Sequence, residues 1–286
     1  MGYTKDLESH LAAYKISRLG VKEPGVFLHK GREVRCAHVL PRALKWLNIL
    51  EPIRTEVRSY LKQHPDIRLH KYFHHLNSSQ AFAFNLFFPF FEEGDPAALL
   101  RAMGLQGTVN RWLPEYIPYA KEGTNVDVSW QDAKGAWTYC EVKLSEQEFG
   151  KARDDKRHRE KLATIYLPVL APYCPAELLQ TTQFFANYQV LRNVWLAARD
   201  KTASVVFLYP AANAVLTNLL QDVTMQLHPT LLRRVHVVTV EDVLSALSAD
   251  KSVPPRLSWY VDLLTEKYVP KKYAVSVPEP KIFDKR

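Results

Sequence analysis

Between residues 125 and 144 the chain alternates. Asn125–Trp130 and Trp137–Leu144 each interleave apolar and polar side chains with a period of two. The residues between them, Gln131-Asp132-Ala133-Lys134-Gly135-Ala136, have turn composition, with Gly135 available for a positive φ. A period of two cannot present one face as a helix, so this stretch predicts an antiparallel β-hairpin. Because side chains alternate across a strand, Tyr139, Glu141 and Lys143 share one face, while Cys140, Val142 and Leu144 take the other with Val126 and Val128. A turn centred on Lys134 sets Asp127 opposite Glu141, with Cβ atoms about 4.5–5.5 Å apart.

The rest of the chain has a different character on either side of this hairpin. The first 65 residues read as mostly helical, with a helix starting at Pro41 and carrying Leu44, Leu47, Leu50 and Val57. A second helix follows the capping candidates Asn77-Ser78-Ser79 and runs until Pro89. Arg111–Tyr119, aromatic and Pro-punctuated, predicts an edge strand. Ala176–Arg199 reads as one long helix. Ser204–Tyr209 and Val235–Val240 read as buried strands with helical patterns between and after them. Helices, then a hairpin, then strands separated by helices predict an α/β domain with a mixed central sheet flanked by helices.

Composition excludes several classes. The 286 residues are 47% hydrophobic and 24% charged, as in a folded domain with a sizeable core. The longest apolar candidate, Ala81–Phe91, is shorter than the ~20 residues a membrane span needs and is interrupted by Asn85 and Pro89. The sequence MGYTKDLESH lacks the apolar core of a signal peptide, and Asp6 breaks the myristoylation pattern. Cys36, Cys140 and Cys174 are widely spaced and odd in number, which points to a reducing cytoplasm. No GxxxxGK[ST], GxGxxG or GxSxG occurs, so no nucleotide cofactor is expected. A formal charge of +8 is compatible with a polyanionic partner.

Two carboxylates facing each other on a sheet destabilise it unless a cation neutralises them. A hard divalent ion with oxygen ligands and retained waters does so. Lys143 beside them can hold an attacking water and neutralise phosphate charge. The bare pattern is cheap: Asp132-Ala133-Lys134, Asp154-Asp155-Lys156 and Glu279-Pro280-Lys281 all carry it. Only Glu141-Val142-Lys143 lies in an alternating apolar strand with an acid across a hairpin. A solvated ion-pair ladder on an exposed sheet face fits the same pattern.

At these residues the sequence resembles the PD-(D/E)XK nuclease superfamily, and within it a bacterial type II restriction-endonuclease-like branch. The matching stretches are Asn77-Ser78-Ser79-Gln80 with Asn85, Glu115, Thr124-Asn125-Val126-Asp127-Val128, Glu141–Glu146 through Phe149-Gly150, and Tyr188–Asn193. The resemblance spans roughly residues 75–215. It implies a restriction-endonuclease-like fold divided into a mostly helical region 1–65, a nuclease core 66–270 and a basic tail 271–286. It also implies that Asp127 and Glu141 bind Mg²⁺ (Mn²⁺ as a substitute), with the Val142 carbonyl as a further ligand, and that Lys143 orients the nucleophilic water. Glu115 is implied as an additional acidic ligand or a group supporting the ligands. Gln80 stands near where many relatives carry a helix-borne glutamate, a departure that bears on a second metal. Gln189 matches a helix glutamine near the site in some relatives. Gln80 and Asn85 can equally bridge buried backbone, and Gln189, Arg192 and Asn193 can form a polar stripe on a helix.

His70, His74 and His75 lack the acidic partner of an HExxH site and read as polar helix or loop surface. Lys151–Lys161 carries six Lys or Arg against three acids. Lys151, Arg153, Lys156 and Arg157 within it are candidates for DNA phosphate contact, although mixed charge on a helix is also a common solvated face. The expectation is a Mg²⁺-dependent DNA endonuclease, acting as a homodimer to cut both strands. The alternatives are a non-cleaving nucleic-acid-binding or assembly module on the same fold, or a repair or RNA nuclease.

Overall fold

The computed structural model describes residues 2–92 and 95–273. Helix α1 (Tyr3–Ser17) leads into a hairpin of β1 (Gly25–His29) and β2 (Arg32–Cys36), so the helices of the 1–65 region are interrupted by a β-ribbon. Lys30 and Gly31 at its tip have φ values of 49° and 76°, the left-handed pair that a two-residue hairpin turn needs. The helix expected from Pro41 is also different. Arg42–Asn48 forms a 3-10 helix, the chain extends at Ile49 and Leu50, and α2 begins only at Arg54 and ends at Gln63. Pro52 explains the break, since it has no N–H to offer the Asn48 carbonyl. That oxygen accepts instead from Asn85 Nδ2 at 2.9 Å and from Nζ of the buried Lys267.

Helix α3 (Ser79–Phe91) starts as expected, with Ser78 capping the Ala81 N–H. It does not stop at Pro89. The Asn85 carbonyl, which loses its helical donor there, accepts the Tyr260 hydroxyl at 2.8 Å, so the proline is accommodated inside the helix. After α4 (Pro96–Ala102) come β3 (Arg111–Tyr116), β4 (Val126–Gln131) and β5 (Trp137–Val142). Helices α5 (Lys156–Lys161), α6 (Leu167–Leu170), α7 (Thr181–Ala186) and α8 (Tyr188–Arg199) follow, with a π-helical turn at Leu162–Tyr166. The single long helix expected over 176–199 is therefore broken. Near the break, Phe185 O accepts from Ala152 N and Gln189 N donates to Gly150 O, so the loop leaving β5 captures backbone groups around the α7–α8 junction. Strand β6 (Ser204–Tyr209), α9 (Ala214–Thr224), α10 (Pro229–Leu232), β7 (Val235–Thr239), α11 (Val240–Ala249) and α12 (Pro255–Tyr268) complete the order.

The five strands run β3-β4-β5-β6-β7, antiparallel across the first three and parallel from β5 to β7. This is the expected mixed sheet flanked by helices, consistent with a restriction-endonuclease-like fold. Val128, Trp130, Cys140, Val142, Val206 and Leu208 pack against α1, α3, α11 and α12. Tyr139, Val205, Phe207 and Tyr209 pack against the α6–α10 layer. Residues 2–65 thus share a core with the sheet. Strand β6 is buried along nearly its whole length, as a strand covered on both faces should be.

The β4–β5 pairing runs from Gln131↔Trp137 to Val128↔Cys140, centred on Lys134. One step short of residues 127 and 141 the ladder ends. Val126 packs with Tyr139 rather than with Val128 and Cys140, so the alternation across β4 breaks at Asp127. On the other side Glu115 has a left-handed φ of 53°. The strand ends are bent where the acids lie. Of the proposed basic tail, Lys271–Tyr273 is a short 3-10 turn tied to Asp6 through Lys272 and the Tyr273 hydroxyl. The remainder of 271–286 lies outside the described residues.

Candidate active site

Asp127 sits where β4 begins and Glu141 where β5 ends. The Asp127 carboxylate accepts the Val142 N–H at 2.7 Å, a bond that a strand carbonyl would otherwise take, so β4 exchanges its last rung for an acid. Lys143 is aimed by its own backbone, whose N–H donates to Leu208 O at 2.8 Å and continues the pairing with β6. Its ammonium lies 2.9 Å from Glu141 Oε1. Glu141 is buried and receives three further donors from α8: Gln189, Arg192 at 3.0 Å and Asn193 at 2.9 Å. These three residues follow the i, i+3, i+4 spacing of one helix face.

Glu115 completes the acidic cluster from β3. One of its oxygens accepts from Gln80 Nε2 at 2.8 Å and the other from Asn125. Gln80 also donates to Arg68 O at 3.0 Å and accepts the His70 N–H at 2.7 Å. It therefore bridges the backbone of the Arg68–His70 loop and holds Glu115 in the same act. Asp127, Glu141, Lys143, Glu115, Gln80 and Gln189 all line one open cavity of about 760 Å³. Val142 does not: its side chain is buried in the core, and its N–H is engaged by Asp127.

The electrostatics are uneven. Burial, and then the charge of Glu141, push the Asp127 carboxyl well above the usual carboxylate range. Asp127 is only half-buried by exposed surface, yet its carboxyl group is enclosed by protein atoms. Burial likewise raises Glu115 despite its two amide donors. Glu141 goes the other way. Burial opposes its ionisation, but Lys143 and Arg192 outweigh that and keep it a carboxylate. Burial would lower Lys143, and the charges of Glu141, Asp127 and Glu146 reverse the effect and hold it as an ammonium. Among the described residues Glu141 is paired with both Lys143 and Arg192, whereas Asp127 and Glu115 have no cationic side chain within 4.0 Å.

Asp127 and Glu141 can hold a divalent ion at this point. Among the described residues no three His, Cys, Asp or Glu side chains form a ready ligand cage. A site of two carboxylates completed by carbonyl and water suits Mg²⁺, which keeps most of its hydration shell.

Lys151, Arg153, Lys156 and Arg157 are exposed and absent from this cavity. Lys151 pairs with Glu148 at 2.8 Å and borders a separate groove with α7 and α9. Residues 70–75 are a correction to the sequence reading. His74 is buried and His75 half-buried, and His70, Tyr72 and His75 border the acidic cavity itself. Arg192 and Asn193, which the sequence offers either as part of the matching stretch Tyr188–Asn193 or as a polar stripe on a helix, both reach Glu141. The signal available was their polarity on an otherwise apolar helix at the spacing of Gln189.

A family model matches residues 8–269: REase-ARP, described as restriction endonuclease associating with ARP. The chain belongs to this family. The match runs from α1 through α12, and so covers the acidic cavity and both helical layers. Comparisons with curated proteins and with solved structures give no match. Membership makes the chain restriction-endonuclease-associated and, by the family's description, connected with a partner protein. No described helix is long and apolar enough to cross a membrane.

Proposed function

We propose that this REase-ARP chain is a Mg²⁺-dependent DNA endonuclease of PD-(D/E)XK type. The observation that carries the reading is the convergence of Asp127, Glu141 and Lys143 on one cavity, with Glu115 beside them. A divalent ion bound there supplies Lewis-acid polarisation of a phosphodiester and lowers the pKa of a bound water. Asp127 and Glu141 hold that ion, with the Val142 carbonyl as a candidate further ligand. Gln189, Arg192 and Asn193 orient the Glu141 carboxylate. Lys143 stays charged, so it orients the attacking water and balances phosphate charge rather than removing a proton. Glu115 supports the ligands from β3, and Gln80 holds Glu115. Phosphate contacts from Lys151, Arg153, Lys156 and Arg157, a homodimer that cuts both strands, and association with the ARP partner named in the family description belong to the same reading.

A plasmid-cleavage assay with Mg²⁺ or Mn²⁺, and with EDTA, tests it. Wild-type protein is expected to nick or linearise DNA only with metal. Asp127→Ala and Lys143→Ala are expected to lose about 10²-fold or more of that rate. Metal-independent cutting, or variants as active as wild type, would sink the assignment. Tight DNA binding with no cleavage under any metal would favour a non-cleaving module on this fold.

A further inference from the structure

The floor of the cavity is acidic and repels a DNA backbone until it is neutralised, so the cations that bring DNA there must lie around it. Of the cations lining the cavity, Lys143 is consumed by Glu141. Arg68 and Lys71 are different. Both are exposed, and among the described residues neither has a carboxylate oxygen within 4.0 Å. Lys71 Nζ lies 4.6 Å from the Tyr72 ring centroid, on an exposed residue of the rim. Gln80 holds the Arg68 carbonyl and the His70 N–H with the same amide that donates to Glu115. The cationic rim and the acidic floor are thus locked together by one side chain.

The rim continues into the β1–β2 hairpin. Phe27 packs edge-on against His75 at 4.6 Å and Tyr72 at 5.6 Å, and the Tyr72 hydroxyl lies 3.3 Å from Leu28 O. At the base, Gly25 N donates to Val39 O at 2.9 Å, and Val39 bridges to His75. A Cβ on Gly25 would come within 2.5 Å of Leu40 O, so only glycine allows this close seating. The two five-residue strands form a ribbon separate from the main sheet, about 17 Å long. Lys30, Arg32 and Arg35 are exposed along it, against Glu33, which sits 3.5 Å from Arg35. A two-stranded ribbon fits the major groove of duplex DNA.

We propose that the β1–β2 hairpin and the Arg68–Tyr72 segment form the clamp that seats duplex DNA over the acidic cavity, with Lys30, Arg32, Arg68 and Lys71 on its phosphates. The proposal rests on the endonuclease reading for its partner, and it differs from that reading in assigning this face rather than α5 as the main grip. Fluorescence anisotropy with a labelled duplex in Ca²⁺, a hard divalent ion that neutralises the acidic floor, tests it without requiring cleavage. Lys30→Glu/Arg32→Glu and Arg68→Glu/Lys71→Glu are each expected to weaken binding about tenfold or more, and to reduce the salt slope by about 0.9 per lost phosphate contact. Lys151→Glu/Arg153→Glu is expected to have the smaller effect. All substitutions are at exposed positions, and unchanged circular dichroism and melting temperature confirm the fold. If both rim variants bind as tightly as wild type, or wild type binds no duplex, the clamp is wrong. If rim variants lose binding while wild type cuts nothing with any metal, the clamp stands and the endonuclease reading fails.

Discussion

Arg192 and Glu141 form a buried ion pair at the heart of the cavity's floor. Glu141 is 2% and Arg192 5% exposed, and their separation is 3.0 Å. Such a pair is weak evidence of net stabilisation, because desolvation offsets most of the attraction. Removing one member is another matter. Arg192→Leu is expected to cost about 1–3 kcal/mol, the loss of one charged hydrogen bond, because Lys143 still compensates Glu141. Urea unfolding measures this, and the double variant Arg192→Leu/Glu141→Gln should recover part of the loss. A loss below about 1 kcal/mol would show that Lys143, Gln189 and Asn193 suffice to hold the carboxylate. The role of Lys143 is equally a matter of neighbours: only the acids around it keep it charged in a buried position.

Two prolines show how elements depend on distant donors. Pro52 and Pro89 each remove a helical N–H, with opposite results. Near Pro52 the chain extends, while α3 runs through Pro89 because Tyr260, from α12, reaches the freed Asn85 carbonyl. Tyr260→Phe removes that donor from a fully buried acceptor and is expected to destabilise the protein by about 1–3 kcal/mol, read as a shift in denaturation midpoint. No change would mean that the Asn85 carbonyl finds another donor. The α7–α8 break has a comparable origin. The loop after β5 takes backbone bonds on either side of the junction, and α8 begins in the register that aims Gln189, Arg192 and Asn193 at Glu141. The alternating hairpin, by contrast, was legible residue by residue, including its centre at Lys134. Only its last rung was not, because an acid replaces a carbonyl there.

The molecule as a whole should respond to acid through its buried histidines. Burial lowers His38 to about 4 and His75 to about 3, from an ordinary value near 6.5. The unfolded chain therefore binds up to about two more protons than the folded one between roughly pH 4 and 6.5, so stability is full above pH 6.5 and falls as pH drops through that window. The raised carboxyls of Asp127 and Glu115 act in the opposite sense, losing stability as pH rises through their folded values. The clean measurement is thus a difference: His38→Gln/His75→Phe should flatten the loss between pH 7 and pH 5 relative to wild type. Equal slopes for the two proteins would refute the assignment. Residues 2–65 contribute Tyr3, Leu7, Leu11, Ile53 and Val57 to the core shared with the sheet.

Period-two alternation, the acids within it, and the order of strands and helices were all present in the chain, because side-chain alternation follows from backbone stereochemistry and needs no distant partner. These were enough to place Asp127, Glu141 and Lys143 on one hairpin and to name the class of sheet. Folding alone decided which prolines break a helix, which polar stripe meets Glu141, and which cations border the acids. Those outcomes rest on contacts such as Tyr260 with Asn85, 175 residues apart, and Asn193 with Glu141, 52 apart. A buried polar group must find a partner somewhere, and sequence spacing carries no information about which distant one it finds.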